Sequence, residues 1–336
     1  LRSGHTTIAV LFGGANSEHE VSVRSARDVV DALRAEGFVV RPIGIDRAGS
    51  WHAAEVGDTV LDSADASPAR GVRPELWRGV DVVFPVLHGR YGEDGTIQGA
   101  IELAGLPYVG SGVLASALAM DKRMTWRVAT AAGVPMLDTR AVDSLPALPA
   151  AVRGLPLPLF VKPNRAGSSV GASLVTELDA LAPAVRTALA HDSTALIQPA
   201  VHADEVGIGV YRMPGGRLNT TGPSLVRVGS QHTFFDYNGK YGGSGPSIEI
   251  PGRVEPALIP TLRELAVTAF EAIGAEGLAR VDFFVTAEGD VLLNEINTMP
   301  GLTAHSHFPR LCAEAGLPYP SLLGMLVDRA LEIGPR

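Results

Sequence analysis

The sequence predicts a chain of mixed class, an open and mostly parallel α/β unit leading into antiparallel α+β units. Three observations carry that expectation. Short apolar runs alternate with helical patterns up to about residue 113, the alternation that builds parallel sheets. Beyond residue 133, strand-like segments follow one another with few helices between them, as antiparallel pairing requires. A hydrophobic content of 46% over 336 residues is enough for more than one core, and ordinary domain sizes allow two or three domains.

Taken in order, "IAVLF" is a buried strand that runs into Gly13-Gly14, and Ser17 with Glu20 has the spacing of a helix capping box. Val23, Ala26, Val30 and Leu33 then recur at helical spacing, so this helix packs on a sheet. "VVRPIGI" and "DVVFPVLHG" supply two more strands, and "TIQGAIELAGL" a further helix. A single helical run is expected from Val113 to Gly133, closed by Gly133 and Pro135. "LFVKP", "SSVGASLV", "TALIQPAV" and "DEVGIGVYRM" read as strands of a small antiparallel unit with one helix near 178–190, and "MPGGR" as a hairpin turn. "FFDYNGKYGGSGPS" has no apolar periodicity and reads as a long mobile loop of the functional kind. An amphipathic helix ending at Gly274 follows, then strands "LARVDFFVT" and "VLLNEIN", a loop "TMPGLTAHSHF" and a last helix "PSLLGMLVDRALEI".

Charge and cysteine usage narrow the function. A net charge of −8 argues against a nucleic-acid or membrane-surface partner, which would call for clustered Lys and Arg. Cys312 is the only cysteine, so no intrachain disulfide forms and a reducing, cytoplasmic setting is expected. No apolar run reaches the length of a membrane span, and none near the start has the length of a signal segment.

Two stretches carry the chemistry. In "FVKPNRAGSSVGAS" Lys162 sits inside an apolar strand and precedes a glycine- and serine-rich loop. The residues after the loop read as another strand, so this is a hairpin tip over a polyphosphate and not the strand-to-helix phosphate loop, whose lysine follows its glycines. The second stretch is the late pair of strands. Asp282 lies in "RVDFFV", while Glu295 and Asn297, two apart in "NEIN", point to one sheet face. Two carboxylates and a carboxamide are hard oxygen ligands, the set that holds Mg²⁺ together with substrate phosphates. A charged solvent face would explain the same residues, but the flanking apolar runs argue for burial, where unpaired carboxylates are costly.

"LFGGANSEHEVS", "HGRYGEDGTIQG", "MDKRMTWRVA", "FVKPNRAGSSVGAS", "FFDYNGKY", "ARVDFFV" and "NEINTMPGLTAHS" together resemble the D-alanine:D-alanine ligases of the ATP-grasp superfamily, in that family's order over residues 8–306. The resemblance implies an N-terminal α/β substrate-binding domain over 1–113 and two α+β subdomains, 114–198 and 199–336, that clamp ATP. It also implies ATP-dependent joining of two D-alanines through a D-alanyl phosphate for peptidoglycan precursors, in a cytoplasmic homodimer. Lys122, Lys162, Ser168, Ser169 and Lys240 would contact ATP phosphates; Gln198, Pro199 and Val201 would line the adenine site, and Glu205 would accept from the ribose hydroxyls. Asp282, Glu295 and Asn297 would hold two Mg²⁺ or Mn²⁺. Glu18, with His88 nearby, would receive the ammonium of the first substrate, and Ser168 and Tyr241 would link to Glu18. Arg280 and the Gly301 N–H would form the oxyanion site, and Ser306 would bind the carboxylate of the second substrate.

The chain departs from the family at Gln198, where Glu is common, and at Pro199, which has no N–H to offer adenine. Ala166 and Gly239 also stand where larger residues are frequent. Three other functions compete. An oxidoreductase fits "IAVLFGG" before a helix but fails the G-x-G-x-x-G pattern, since Ala15, Asn16 and Ser17 follow the glycines. A non-catalytic ATP-binding module has little use for Arg280 and Ser306 beside a metal set. A ligase that takes D-serine, D-lactate or another amino acid second is the reading that sequence separates least.

Overall fold

The computed structural model describes residues 6–53, 55–56, 73–167, 170–227 and 247–336. The first unit is a sheet of order β3-β2-β1-β4, built from β1 (Thr7–Gly13), β2 (Val39–Ile45), β3 (Trp51–Ala53) and β4 (Val82–Pro85). β1 runs parallel to β2 and β4, and β3 is antiparallel. The alternation along β1 decides the layers. Ile8, Val10 and Phe12 face a core shared with helix α1 (His19–Ala35), whereas Ala9 and Leu11 face one shared with Ile97 and Ile101 of α2 (Thr96–Leu103).

β1 ends on a turn that only glycine satisfies. Gly13 has φ +90°, and a Cβ there would stand 2.2 Å from the Ile45 carbonyl oxygen. The expected capping box does not form. Glu18 is the N-cap of α1 and Asn16 Oδ1 accepts its N–H at 2.8 Å, while Glu20 is drawn to Arg47 and cannot reach back to Ser17.

The run from Val113 to Gly133 is also not one helix. α3 (Val113–Met120) and α4 (Lys122–Ala131) are separated by Asp121, at φ −87° and ψ 95°, whose carboxylate caps α4 by accepting the Met124 N–H at 3.0 Å. The break places Lys122 at the start of a helix and not in the middle of one.

The second sheet is antiparallel, with order β5-β8-β6-β7. Its strands are β5 (Arg140–Val142), β6 (Leu159–Pro163), β7 (Ser173–Val175) and β8 (Ala195–Pro199), covered by the short α5 (Leu148–Ala151) and by α6 (Leu181–Leu189). β6 and β7 pair antiparallel, so the loop after Lys162 is a hairpin connection, although β7 is shorter than "SSVGASLV" suggested.

The third sheet has order β11-β10-β9-β12-β13. It contains β9 (Ala203–Arg212), β10 (Leu218–Arg227), β11 (Ser247–Glu249), β12 (Leu278–Thr286) and β13 (Val291–Asn297), with α7 (Ile259–Ala272) on its apolar face. "DEVGIGVYRM" therefore does not belong to the small central sheet. Its alternating Val206, Ile208 and Val210 pack on Leu262, Ala266 and Phe270 of α7, which draws β9 to the middle of the larger sheet. The glycines of "MPGGR" make the β9–β10 turn, at φ +81° and +84°.

Part of the loop expected after β13 is helical: α8 (His307–Glu314) precedes α9 (Tyr319–Ile333). Phe308, Cys312, Leu322, Leu326 and Val327 from this pair pack into the core of α1 and the first sheet. Cys312 is fully buried there. No helix among the described residues is long and apolar enough to cross a membrane.

Candidate functional site

The polar face of the β12–β13 hairpin forms the floor of the site. Arg280 lies opposite Asn297, and Asp282 opposite Glu295, so all four side chains share one face. The register then slips by one residue, which lets Phe283 and Leu293 meet in the core while Asp282 and Glu295 stay together. Arg280 Nε donates to both Asp282 oxygens at 2.8 and 3.0 Å, its Nη2 donates to Oδ2 at 2.8 Å, and Asn297 Nδ2 donates to the same Oδ2 at 2.9 Å. Burial works against the charge on Arg280, but Asp282, Glu295 and Glu93 hold it protonated above even the usual guanidinium range.

Room for this cluster comes from Gly207 on the neighbouring strand β9. A Cβ there would meet Ser224 Oγ at 2.8 Å, His307 at 3.0 Å and Asp282 Oδ1 at 3.2 Å. His307, which sequence reading passed over, donates from Nε2 to Ser224 Oγ, because the Ser224 hydroxyl itself donates to the Gly207 carbonyl. Burial, then Arg280 and Arg310, push its imidazole down to about 2, so it is neutral. Only its place directly after Ser306 in "HSHF" could have marked it.

The second and third sheets face each other across two lysines. Lys162, on β6 opposite Leu196, is half-buried. Burial and then Lys122 pull its ammonium down to about 8, against Glu295 and Glu205. Lys122 Nζ donates to the Ala166 carbonyl at 3.0 Å and lies 3.6 Å from Glu295 Oε2, so it bridges the loop after β6 to the floor. Gln198 is buried, and its Nε2 donates to Thr139 Oγ1 at 2.7 Å. Its amide is thus committed to the strand scaffold. Pro199 ends β8 opposite Leu159, half-buried Val201 follows, and Glu205 lies near the start of β9.

The first sheet contributes the remaining wall. Glu18, at the start of α1, stands beside Gly89 and Gly167: a Cβ on Gly89 would lie 3.1 Å from its Cγ, and one on Gly167 would lie 4.0 Å from Oε1. His88 is buried with both ring nitrogens engaged. The Met299 carbonyl, 3.0 Å from Nδ1, can only accept, so Nδ1 carries the proton and Nε2 accepts from Ser25 Oγ at 3.2 Å. Burial holds this imidazole below its ordinary range, and it works as a brace between α1 and the 298–302 loop.

Ser306 Oγ accepts the Thr303 N–H at 3.1 Å and shares a 2.7 Å bond with Thr303 Oγ1, packed against Gly301. Glu93 was not singled out from the sequence, yet it lies at the centre: its carboxylate accepts the Gly89 N–H at 2.6 Å and the Met299 N–H at 3.2 Å. Burial raises it to about 7, helped by Glu18 and opposed by those N–H groups and Arg280. Ser168, Ser169, Gly239, Lys240 and Tyr241, with most of the "FFDYNGKYGGSGPS" segment, lie outside the described residues.

Both N–H groups of the Gly13-Gly14 turn are engaged within the chain, that of Gly14 by the Ile45 carbonyl at 2.8 Å. The Gly13 N–H donates to Ser22 Oγ at 2.8 Å, and the Gly14 carbonyl accepts from His19 at 2.8 Å. Among the described residues no three His, Cys, Asp or Glu side chains form a metal cluster. The floor does fit Mg²⁺ in the other way, as two carboxylates and a carboxamide whose shell substrate phosphates complete.

Family models and relatives agree with this geometry. The D-ala D-ala ligase N-terminus model matches residues 7–111, and the D-ala D-ala ligase C-terminus model matches residues 134–328. Relatives named D-alanine--D-alanine ligase include those of Mycolicibacterium vanbaalenii, 42% identical over 97% of both chains, and Mycobacterium tuberculosis, 40% identical over 99% of this chain and 97% of that one. Similar solved structures include the VanG D-Ala:D-Ser ligase of Enterococcus faecalis, with TM-score 0.84, 34% identity and coverage of 97% and 99%. D-alanyl-alanine synthetase A of Vibrio cholerae also gives 0.84, at 31% identity with 98% and 99% covered. With models covering both ends of the chain and relatives aligned over nearly its whole length, this chain belongs to the D-alanine:D-alanine ligase family, ATP-dependent ligases of the ATP-grasp fold.

Proposed function

We propose that this chain joins two D-alanines to D-alanyl-D-alanine with the cleavage of ATP to ADP and phosphate, supplying peptidoglycan precursors. The observation that carries this reading is the floor quartet of Arg280, Asp282, Glu295 and Asn297 facing Lys122 and Lys162. That arrangement suits a polyphosphate and a reacting carboxylate side by side.

A carboxylate must be activated before an amine attacks it. The carboxylate oxygen of the first D-alanine, its ammonium on Glu18, forms a bond to the γ-phosphorus as the bond to ADP breaks, giving an acyl phosphate. Lys122, Lys162 and Lys240 offset the phosphate charge, and Ser168 and Ser169 contribute donors. Asp282, Glu295 and Asn297 would hold Mg²⁺, two ions in the family's manner, and the metal would add charge neutralisation on the phosphates. The second D-alanine, its carboxylate on Ser306, then attacks the acyl carbon as the free amine. Arg280 and the Gly301 N–H stabilise the oxyanion, and phosphate leaves with the acyl C–O bond broken. His88 braces the loop that carries Gly301, and the family resemblance gives Tyr241 and Ser168 the role of partners to Glu18. Gln198, Pro199, Val201 and Glu205 line the nucleoside end, where adenine is read by backbone carbonyls.

The protein works in the cytoplasm as a homodimer, with the exposed Leu103 (93%) and Leu114 (70%) on neighbouring helices α2 and α3 as the apolar face available for pairing. A phosphate-release assay over D- and L-amino acids and hydroxy acids, with product identified by mass, tests the reaction. D-alanine alone should support the highest turnover; preferred use of D-serine or D-lactate as the second substrate would move the chain to that branch of the family.

A further inference from the structure

Met299 is held on both sides by the loop that follows β4. Its carbonyl accepts from His88 Nδ1 at 3.0 Å and its N–H donates to Glu93 Oε1 at 3.2 Å, so both polar groups of one residue are gripped by side chains of a single loop, 211 and 206 positions away. The other oxygen of the same carboxylate accepts the Gly89 N–H at 2.6 Å. Gly89, at φ +69°, abuts the stem of Glu18, and Met299 lies two residues before Gly301.

We infer that Glu93 is a positioning residue that staples the two halves of the substrate site together, fixing the Glu18 ammonium acceptor against the Gly301 oxyanion donor. The inference rests on the proposed roles of Glu18 and Gly301. One carboxylate can do this because it has acceptor capacity on both oxygens; a protonated carboxyl or an amide turns one of them into a donor facing an N–H. The charged groups that face it are Glu18 from the start of α1 and Arg280 from β12, and the neutral His88 lies on its own loop. Glu18 and burial favour the protonated form, Arg280 and the N–H groups the ionised one, and the balance falls near pH 7. The staple is therefore closed above that pH and loosened below it.

A loosened staple leaves each half-site intact but misaligned. It slows the attack on the acyl phosphate, which needs the oxyanion donor, more than the formation of that acyl phosphate. In Glu93→Gln, peptide formation should fall by about 10- to 100-fold, the range of one charge-assisted hydrogen bond. Positional isotope exchange in ATP with the first D-alanine, which reports acyl phosphate formation alone, should fall by less than about threefold on the same free-energy scale. The acid limb of the pH–rate profile near 7 should vanish in Glu93→Gln, and Glu93→Asp should recover part of the rate. Equal losses in both steps, or a variant within twofold of wild type with an unchanged profile, would overturn the inference.

Should the variant not fold, amide-exchange protection at Gly89 and Met299 of the wild-type chain decides. Protection must drop together at both amides as pH falls through about 7, and flat protection overturns the staple. A wild type that releases no phosphate with D-alanine defeats the proposed function instead, and the exchange measurement still judges Glu93 independently.

Discussion

Arg280 and Asp282 stand two residues apart on one strand and grip each other through hydrogen bonds of 2.8, 3.0 and 2.8 Å, so the cation proposed for the oxyanion and a carboxylate proposed for the metal share one charge balance. A lysine at this position keeps the charge and loses the fork. Arg280→Lys should lower kcat by about 10- to 100-fold with little change in circular dichroism, because a point charge cannot hold Asp282 and reach an oxyanion in one geometry. Arg280→Ala should in addition lower the melting temperature, since half-buried Asp282 then loses its counter-charge. A lysine variant with wild-type kcat would remove Arg280 from the reaction.

Glu295→Gln tests the floor from the other strand. The amide keeps the shape opposite Asp282 but halves the carboxylate charge available to a cation. Ligation should be nearly abolished at every Mg²⁺ concentration, and the thermal stabilisation that MgATP gives the wild type should shrink. Comparable activity at saturating Mg²⁺ would take Glu295 out of the metal site.

The pH dependence of nucleotide binding should report Lys162. Its ammonium is held down to about 8, so it is charged below that pH and neutral above it, and affinity for ADP should fall as pH rises through about 8. The stability sign is opposite. The unfolded chain binds this proton up to about 10.5, so folding gains stability as pH climbs from about 8 toward 10.5, and below 8 the buried charge carries its full cost. Lys162→Met should therefore hold or raise the melting temperature at pH 7 while abolishing ADP binding by calorimetry. A variant that melts lower and binds normally would contradict both halves of the argument.

Asp121→Ala removes the cap between α3 and α4. Losing the bond to the Met124 N–H should lower stability by about 1 kcal/mol and let Lys122 drift from Glu295. Denaturant melts should show the loss, together with a raised KM for ATP that Asp121→Asn largely restores.

What could be read from the sequence follows from where each signal resides. β12 and β13 were legible to the residue because one strand of alternating polar and apolar positions fixes its own faces, and the Asp282, Glu295 and Asn297 set came with them. Glu93 was not legible, because its meaning lies in a partner 206 residues away. The break at Asp121 was masked by the helix-forming residues around it, although Asp is a strong N-cap and could have marked the start of α4. α8 was missed because "HFPRLCAE" carries a proline near its start and too few residues to show a period, while its Phe308 and Cys312 become informative only against a core supplied by the first sheet.

That last packing has a consequence for synthesis. The face of the first sheet that carries Ile8, Val10 and Phe12 is completed by Phe308, Cys312, Leu322 and Leu326, near the other end of the chain. At ribosomal rates of about 5–20 residues per second, the nascent sheet waits on the order of ten seconds or more before its cover exists. During that interval the part of this apolar surface that α1 does not cover faces solvent. Nascent chains stalled after residue 111 should accordingly bind holdase chaperones, and the first sheet should become protease-resistant only once α9 has left the tunnel. The order in which the chain is made thus differs from the order in which its core can close.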